Sequence, residues 1–353
     1  MTTTRAHTCP SGPDRLPDDL RAELAGRGLD PDDVIAVISR CLDEDLAAGG
    51  DVTTEAIFDR TSGWAAVVSR QAGCLAGVPV AVAALWVLAA RTGAEVEARI
   101  VRDDGQRVLP GDVVVECGGP LRTLLTAERT MLNLVSQLSG VATATAAWVE
   151  ALAGSGARVR DTRKTVPGLR ALQKYAVRCG GGVNHRMGLG DAALVKDNHI
   201  AAAGSVAAAL AAVRAHAPQV PCEVECDTVE QVRQAVDAGA ELVLLDNMGD
   251  SDMRRATELC HTHDVRTEAS GGLTLDRARA VATTGVDFIA VGALTHSAPV
   301  LDLGLDMVPD SPDLHDGADP HDGADPHDGA DIHDGADLHG PGNPDDPVEP
   351  RGD

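Results

Sequence analysis

The fold of this chain is constrained most by a series of short apolar runs, each of which ends in a polar residue or a glycine. They begin near residue 155, and helical patterns separate most of them; the runs read ARVRDTR, ALVKDN, CEVECD, LVLLDN, VRTEASGG and FIAVGA. From CEVECD onward a run starts about every 20–24 residues, which is the spacing of repeated strand–helix units. Parallel strands joined by helices form either an open doubly wound sheet or a barrel, so the sequence predicts an α/β fold.

The part of the chain before this series, from residue 1 to about 131, has a mixed α/β pattern. Asp30-Pro31 is typical of a helix start, because an N-cap residue precedes a proline at the first helical position. The runs WAAVVS (64–69) and VVVEC (113–117) predict strands, and a helical stretch is expected from Thr126, with Arg129 on its first turn. Aromatic residues make up only 2% of the chain, which favours helices packed on a sheet over an aromatic-rich β-sandwich.

The C-terminal segment from 310 to 353 differs from the rest in composition. It repeats hexapeptides of the HDGADP type and contains 14 acids and one arginine, so it carries much of the formal net charge of −24. So few apolar residues cannot offset the entropy lost on folding, and we expect a disordered acidic tail. Its five histidines at a spacing of six raise the alternative of a metal-binding segment.

Composition also excludes several classes of protein. The net negative charge argues against a nucleic-acid-binding protein, which needs a broad basic surface to neutralise phosphates. There is no apolar run of 18 residues and no apolar signal core near the N-terminus, so we expect a soluble, cytoplasmic protein that does not bind membranes. The eight cysteines are scattered without a CxxC pair, which favours buried reduced thiols over a metal site or a disulfide.

Chemistry-bearing residues collect at the ends of the predicted strands. Nine Lys or Arg and only three Asp lie between Arg158 and His199, in a chain that is otherwise acidic. Parallel βα units place their functional groups at the carboxyl ends of the strands. Cations there suit an anionic substrate, two carboxylates suit ribose hydroxyls or Mg²⁺, and glycine turns let backbone N–H groups approach a phosphate. The strand-end residues are Asp161, Thr162, Arg163, Lys164, Lys196, Glu225, Asp246, Ser270, Gly271, Gly272, Val291, Gly292 and Ala293.

Other polar residues near these ends have two readings. Arg170, Lys174 and Arg178 recur every four residues after Pro167, and such a stripe is more often a solvated helix face than part of a site. His185 follows three glycines and precedes Arg186, which favours a binding role over a buried structural one. His199 is expected to be structural. Glu223 shares a strand face with Glu225, so the pattern leaves open that one of the pair is only structural or solvated.

The chain resembles the quinolinate phosphoribosyltransferases, also called carboxylating nicotinate-nucleotide pyrophosphorylases. The signature is DTRKTVPGLRALQKYAVRCGGGVNHRMGLGDAALVKDNHI, and the likeness runs from about Leu42 to Val308. It includes EDLAAGGDVTTEAI, QAGCLAGVPVA, LLTAERTMLNLVSQLSGVATAT, EVECDT, LLDNM, EASGG and FIAVGALTHS. So many motifs in one order make the resemblance specific, and the hexapeptide tail lies outside it.

The resemblance implies a two-domain subunit. Residues 1–131, joined by about 299–309, would form an N-terminal α/β sandwich; residues 132–298 would form an incomplete α/β barrel; and 310–353 would be the tail. It also implies a homodimer, or a larger assembly such as a hexamer, in which each site is completed by the neighbouring subunit. The implied reaction joins quinolinate to phosphoribosyl pyrophosphate with Mg²⁺, and yields nicotinate mononucleotide, pyrophosphate and CO2 on the route to NAD.

The resemblance also implies roles for the site residues. Lys164, with Thr162 beside it, would face the pyrophosphate, and Glu225 and Asp246 would hold the ribose and Mg²⁺, so that Lys164, Glu225 and Asp246 act in catalysis. The turns at 270–272 and 291–293 would bind the 5′-phosphate. The quinolinate carboxylates would be surrounded by Arg129, Arg163, His185, Arg186 and Lys196.

Two alternatives remain open at this point. A paralogue of the same fold could act on another anionic heterocycle, as a nicotinate phosphoribosyltransferase or a protein associated with molybdate uptake would. The number of cations argues against this, because a single carboxylate does not need four or five. A non-catalytic module that binds metal through its His/Asp tail is the alternative from a different class.

Overall fold

The computed structural model describes residues 16–308, so the predicted tail at 310–353 lies outside the described residues. The described part contains α-helices and strands, which alternate mainly after residue 157, with one short 3-10 helix at Leu275–Arg277. The helices are α1 Asp18–Gly26, α2 Pro31–Leu46, α3 Val52–Ile57, α4 Val78–Thr92, α5 Leu121–Ala151, α6 Arg170–Cys179, α7 Asp197–Ala203, α8 Val206–His216, α9 Val229–Asp237, α10 Asp250–His261, α11 Ala278–Ala282 and α12 Ala293–His296. The strands are β1 Ser62–Ser69, β2 Gly73–Cys74, β3 Glu97–Ile100, β4 Arg107–Val108, β5 Val113–Pro120, β6 Arg158–Arg160, β7 Ala193–Val195, β8 Cys222–Cys226, β9 Leu242–Asp246, β10 Arg266–Ser270, β11 Phe288–Ala290 and β12 Leu303–Val308.

The series of apolar runs forms a six-stranded parallel sheet in the order β6-β11-β10-β9-β8-β7. All five strand pairs are parallel, and helices α8 to α11 connect successive strands from β7 to β11. The sheet curves, because Arg160 on β6 contacts Glu268 on β10 although β11 lies between them. The predicted α/β fold with an incomplete barrel is therefore confirmed.

A second, antiparallel sheet precedes the barrel and has the order β12-β1-β5-β3. Its strands β1 and β5 cover the two runs that predicted strands at 64–69 and 113–117. Helix α4 is buried along Val78–Ala89, as its almost wholly apolar sequence requires. Strand β12, from the C-terminal end of the described chain, pairs with β1, so residues 303–308 join the N-terminal sheet.

Helix α5 differs from the sequence-based expectation. It begins at Leu121, directly after β5, and continues for 31 residues, so Arg129 lies in its third turn and not in its first. Thr126 does not start the helix; its hydroxyl donates to Asp51 Oδ2 at 3.1 Å. The boundary predicted after residue 131 falls inside this continuous helix, and the division into domains stays a prediction.

Several smaller predictions can be compared with the described residues. Helix α2 begins at Pro31, and the Asp30 side chain accepts from the backbone N–H of Asp32 at 2.9 Å, as expected for an N-cap. All seven cysteines between residues 16 and 308 are free thiols; four of them are buried as expected, whereas Cys41, Cys179 and Cys222 are only partly buried. No helix in this part of the chain combines the length and the apolar character that crossing a membrane requires.

Candidate active site

A cavity of about 260 Å³ opens at the carboxyl ends of the barrel strands. Its position follows from the parallel sheet, since the carboxyl ends of parallel strands meet at one edge. The cavity brings together nine residues that the sequence analysis selected. They are Thr162, Arg163, Lys164, His185, Arg186, Lys196, Glu225, Asp246 and Ser270.

One side of the cavity is cationic. The guanidinium Nε of Arg163 is buried and has no hydrogen-bond partner among the described residues. Arg186 donates from Nη1 to the carbonyl of Ala192 at 3.0 Å, and its pKa is lowered by burial and by the nearby charge of Arg163. Two arginines that repel each other in a partly buried cavity favour an anion between them.

The cavity also presents carboxylate oxygens from two neighbouring strands. Glu225, on β8, forms an ion pair with Lys196, whose Nζ lies 2.9 Å from the Glu225 Oε2. Asp246 ends β9, and its Oδ2 accepts from the side chain of Asn247 at 2.7 Å. Oxygen donors of this kind match the ligand preference of Mg²⁺, which usually keeps several waters and binds through few carboxylates. Glu225 and Asp246 thus fit a magnesium ion that is held together with a substrate.

A buried layer of charged side chains from alternate strands forms the floor of the cavity, and its members His185 and Glu268 line the cavity directly. Glu268 on β10 pairs with Arg160 on β6, and the His185 ring contacts two carboxylates. Its Nε2 lies 2.9 Å from Oε2 of Glu223, which is on β8, and 3.6 Å from Oε1 of Glu268. In the order of the sheet, β6, β10 and β8 are every second strand, and such strands supply one layer of a barrel interior.

Burial controls the protonation of this layer. It raises the pKa of Glu223 and of Glu268 to about 7, because the charged carboxylate loses its water. Burial also lowers the pKa of His185, which favours the neutral imidazole. The ring Nδ1 accepts from the backbone N–H of Arg186 at 2.7 Å, so the neutral ring carries its proton on Nε2 and donates it to Glu223.

The ligand atoms of His185, Glu223 and Glu268 lie within 4.8 Å of one another, close enough to hold a cation. The histidine argues against that use. Its Nδ1 already accepts a hydrogen bond, so metal binding through Nε2 would leave both ring nitrogens without a proton. The arrangement suits a hydrogen-bonded layer that supports the cavity, and the oxygen pair of Glu225 and Asp246 remains the better match for Mg²⁺.

The two predicted glycine turns directly follow β10 and β11. Gly271 has φ +99°, and a Cβ at this position would lie 2.7 Å from the backbone nitrogen of Asn247, so a side chain cannot be accommodated without movement. A Cβ on Gly292 would lie 3.2 Å from Cδ of Lys164. Gly292 therefore borders the cavity, whereas Val291 belongs to the buried core.

Two positions depart from the sequence analysis. Arg129 is not among the cavity residues of this chain; its side chain is 64% exposed and lies 4.0 Å from Glu128. The prediction of a solvated stripe was wrong for Lys174, which is fully buried and paired with Asp161. The wrong inference has a physical origin, because a cationic repeat on a helix gives no sign of a carboxylate that the fold brings to it.

The sequence analysis missed Arg160 and Glu268 of the buried layer and left Glu223 undecided, and it also missed the apolar part of the lining. A signal for the layer was present, because Arg160, Glu223 and Glu268 each lie two positions before a residue that was selected. Side chains two apart on a strand share a face, so these three had to point into the barrel as well. The apolar lining residues carry no such chemical signal; they are Leu194, Leu244 and Ala290.

An α/β barrel with a cationic cavity at its strand ends defines an enzyme that acts on small anionic substrates. Comparison with known proteins gives the family. The N-terminal domain of quinolinate phosphoribosyl transferase matches residues 51–139, and the C-terminal domain matches residues 141–306. This chain therefore belongs to the quinolinate phosphoribosyltransferase family.

Curated relatives and solved structures agree with this assignment. The chain is 51% identical over 276 residues to nicotinate-nucleotide pyrophosphorylase [carboxylating] of Mycobacterium leprae, across 76% of this chain and 95% of the relative. It is 42% identical to a probable enzyme of the same name from Bacillus subtilis, across 75% and 90%. The nicotinate-nucleotide pyrophosphorylase structure from Francisella tularensis superposes with a TM-score of 0.73 at 34% identity, across 85% and 100%.

Proposed function

We propose that this protein is a pentosyltransferase that moves the phosphoribosyl group of phosphoribosyl pyrophosphate to the ring nitrogen of quinolinate. The products are nicotinate mononucleotide, pyrophosphate and CO2, and the reaction supplies de novo NAD biosynthesis. The family assignment and relatives named for the carboxylating reaction support this function. The free thiols at the seven described cysteines fit a reducing compartment, and we propose a cytoplasmic location.

The observation that supports the choice of acceptor is the buried guanidinium Nε of Arg163, which has no hydrogen-bond partner among the described residues. A buried N–H donor without a partner costs free energy unless a ligand accepts from it. A dicarboxylate supplies acceptors for Arg163 and Arg186 together, and it offsets the burial and the repulsion from Arg163 that lower the pKa of Arg186. Lys196 completes the proposed acceptor side of the cavity, and the His185 ring supports it through hydrogen bonds to Arg186 and Glu223.

The chain contributes positioning and electrostatic stabilisation, and no covalent nucleophile is required. As the bond between ribose and pyrophosphate breaks, positive charge develops on the sugar, and Lys164 meets the negative charge on the departing group. Glu225 and Asp246 face the ribose. The ring nitrogen captures the sugar and becomes cationic, which stabilises the electron pair left on the neighbouring carbon when CO2 departs; that carbon then takes a proton.

Mg²⁺ is the proposed cofactor, held by Glu225 and Asp246 through water and substrate oxygens. When bound, it would neutralise charge on the pyrophosphate group. The phosphate at the other end of the sugar would lie against the turns at 270–272 and 291–293, where backbone N–H groups can approach it. The acidic pair and the glycine turns thus hold the sugar donor, and the cationic side holds the acceptor.

We further propose a homodimer, or a larger assembly such as a hexamer, with sites shared between subunits. Arg129 is exposed in the isolated chain and forms no part of its cavity, although the family resemblance assigns it to the quinolinate carboxylates. The exposure of Arg129 and its assigned role agree if Arg129 reaches the site of a neighbouring subunit. The dimer would then be necessary for catalysis and would do more than stabilise the fold.

Acceptor choice tests the proposed function directly. Purified protein with Mg²⁺ and phosphoribosyl pyrophosphate is given quinolinate or nicotinate, and CO2 and mononucleotide are measured. We expect a strong preference for quinolinate, because nicotinate would leave cations of the cavity unpaired. Equal turnover of the two acids would mean that the cationic side does not select a dicarboxylate.

The shared site is tested by mixing two inactive variants, Arg129→Ala and Lys164→Ala, under conditions that exchange subunits. Random exchange gives about half heterodimers, and each has one site with both lesions and one with neither. About a quarter of the wild-type activity should therefore return. If exchange is verified by mass and no activity returns, Arg129 serves its own subunit.

A further inference from the structure

The segment that carries His185 and Arg186 is held from behind by a fully buried ion pair. Lys174, on α6, donates from Nζ to Asp161 Oδ1, and neither side chain is exposed to solvent. Asp161 directly follows β6, so the pair joins the end of a barrel strand to the helix that follows it. Neither residue lines the cavity, and neither contacts a substrate in the proposed mechanism.

Both partners of this pair bind the main chain of His185. Asp161 Oδ1 accepts from the backbone N–H of His185 at 2.9 Å, and Lys174 Nζ donates to its carbonyl at 2.9 Å. The other carboxylate oxygen accepts from the side chain of Asn184, which also donates to the carbonyl of Lys174 at 2.8 Å. The peptide groups on either side of His185 are therefore fixed by one ion pair.

The fixed backbone of His185 determines which side chains face the cavity. With its main chain fixed, His185 directs Nε2 to Glu223, and the next residue, Arg186, extends into the cavity beside Arg163. A buried ion pair is weak evidence for stability, because well-packed apolar residues of similar volume often stabilise a core as well or better. Apolar residues could not replace the two hydrogen bonds to the His185 backbone.

We propose that Lys174 and Asp161 are positioning residues, which hold His185 and Arg186 in the geometry that binds the acceptor dicarboxylate. The proposal rests on the proposed function, and it assigns the pair to one substrate only. The sugar donor meets Lys164, Glu225, Asp246 and the glycine turns, whereas the side chains of Lys174 and Asp161 hydrogen-bond to each other, to Asn184 and to the His185 backbone.

The test compares Michaelis constants for the two substrates in Asp161→Asn and in the double variant Lys174→Met/Asp161→Asn. Asparagine keeps an acceptor for the His185 N–H, and the double variant avoids leaving an unpaired charge in the core. We expect the KM for quinolinate to rise about tenfold or more in the double variant, since small misplacements of binding groups have large effects. The KM for phosphoribosyl pyrophosphate should stay within about twofold, and Asp161→Asn should lie between the double variant and wild type.

Tyr175→Phe is the matched control for loss of stability. Tyr175 is the next residue on α6, and its hydroxyl donates to Asp104 Oδ2 at 2.5 Å, away from the cavity. We expect this variant to melt at a lower temperature with both Michaelis constants unchanged. A double variant that also keeps both constants, or raises both equally, would overturn the positioning role.

The inference and the proposed function fail in different ways. A wild-type protein that releases no CO2 from quinolinate contradicts the proposed function. A wild-type protein that turns quinolinate over, with a double variant that binds quinolinate equally well by calorimetry, contradicts only the positioning role. If the double variant is too unstable to assay, calorimetry with quinolinate on Asp161→Asn decides, and wild-type affinity there overturns the proposal.

Discussion

Replacement of Gly271 by alanine should move the donor side of the cavity by a calculable amount. A Cβ at Gly271 would lie 2.7 Å from the backbone nitrogen of Asn247, and ordinary contact begins at 3.4 Å, so one of the two must move by about 0.7 Å. The Asn247 side chain is nearer still and can rotate, but the backbone nitrogen cannot. The φ of +99° adds strain, because an L side chain with this backbone costs roughly 1–2 kcal/mol.

The displacement has a direct path to two cavity residues. Asn247 donates from its backbone to the carbonyl of Ser270 at 3.0 Å, and its side chain donates to Asp246 at 2.7 Å. Misplacement of a binding group by about 1 Å can cost about 100-fold in rate, so a shift of this size should lower kcat/KM for phosphoribosyl pyrophosphate by about tenfold or more. Initial rates at saturating quinolinate, with the donor varied, measure the effect.

Gly239→Ala provides a control with similar backbone strain and no clash. Gly239 has φ +81° and lies before β9, at the opposite end of the strand from Asp246; a Cβ there would be no closer than 3.5 Å to another group. We expect it to lower the melting temperature and leave kcat/KM unchanged. The reasoning fails if Gly271→Ala keeps the wild-type kcat/KM, or if Gly239→Ala loses as much of it.

Three further predictions concern the carboxylates and the second turn. Glu225→Gln and Asp246→Asn should each reduce turnover and leave quinolinate binding nearly intact, because their proposed partners belong to the sugar donor; loss of quinolinate binding, measured by calorimetry without the donor, would show that the roles are misassigned. Gly292→Ala should raise the KM for phosphoribosyl pyrophosphate, because its Cβ would lie 3.2 Å from Lys164 Cδ, and an unchanged KM would place the lysine elsewhere in the working enzyme. Burial raises the pKa of Glu268 from 4.5 to about 7, so its ionisation destabilises the folded state progressively between those values, by about 3 kcal/mol at most. Glu268→Gln should therefore gain stability relative to wild type between pH 5 and pH 7 in chemical denaturation, and a difference that stays constant over that range would contradict the raised pKa.

The strand ends of the barrel could be predicted from sequence because the rule that governs them is geometric. Once apolar runs are taken as parallel strands, their last residues must meet at one edge of the sheet, whatever the sequence of the connecting segments. Lys164, Glu225 and Asp246 are far apart in sequence, yet each was selected on this basis and each lines the cavity. No contact between side chains had to be known in advance.

The burial of Lys174 could not be predicted in the same way. Its environment depends on how α6 is rotated against β6, and the repeat of cations on the helix indicated the opposite orientation. In the structure Lys174 lies among residues that pack inward, since Leu172, Tyr175 and Val177 are buried as well. An ion pair with a partner 13 residues away becomes visible only when the helix is placed on the barrel.

The charged layer at the floor of the cavity shows how far strand alternation can extend a prediction. A residue at a strand end and the residue two positions before it share a face, and in a closed barrel that face is the interior. The earlier residue must therefore lie one layer deeper, where water is excluded and charge has to be paired. Glu223 was left undecided between a structural and a solvated role because alternation gives the face and not the depth. The depth of each residue follows from the curvature of the sheet. Glu223 is therefore buried against His185, whereas Glu225 reaches the cavity.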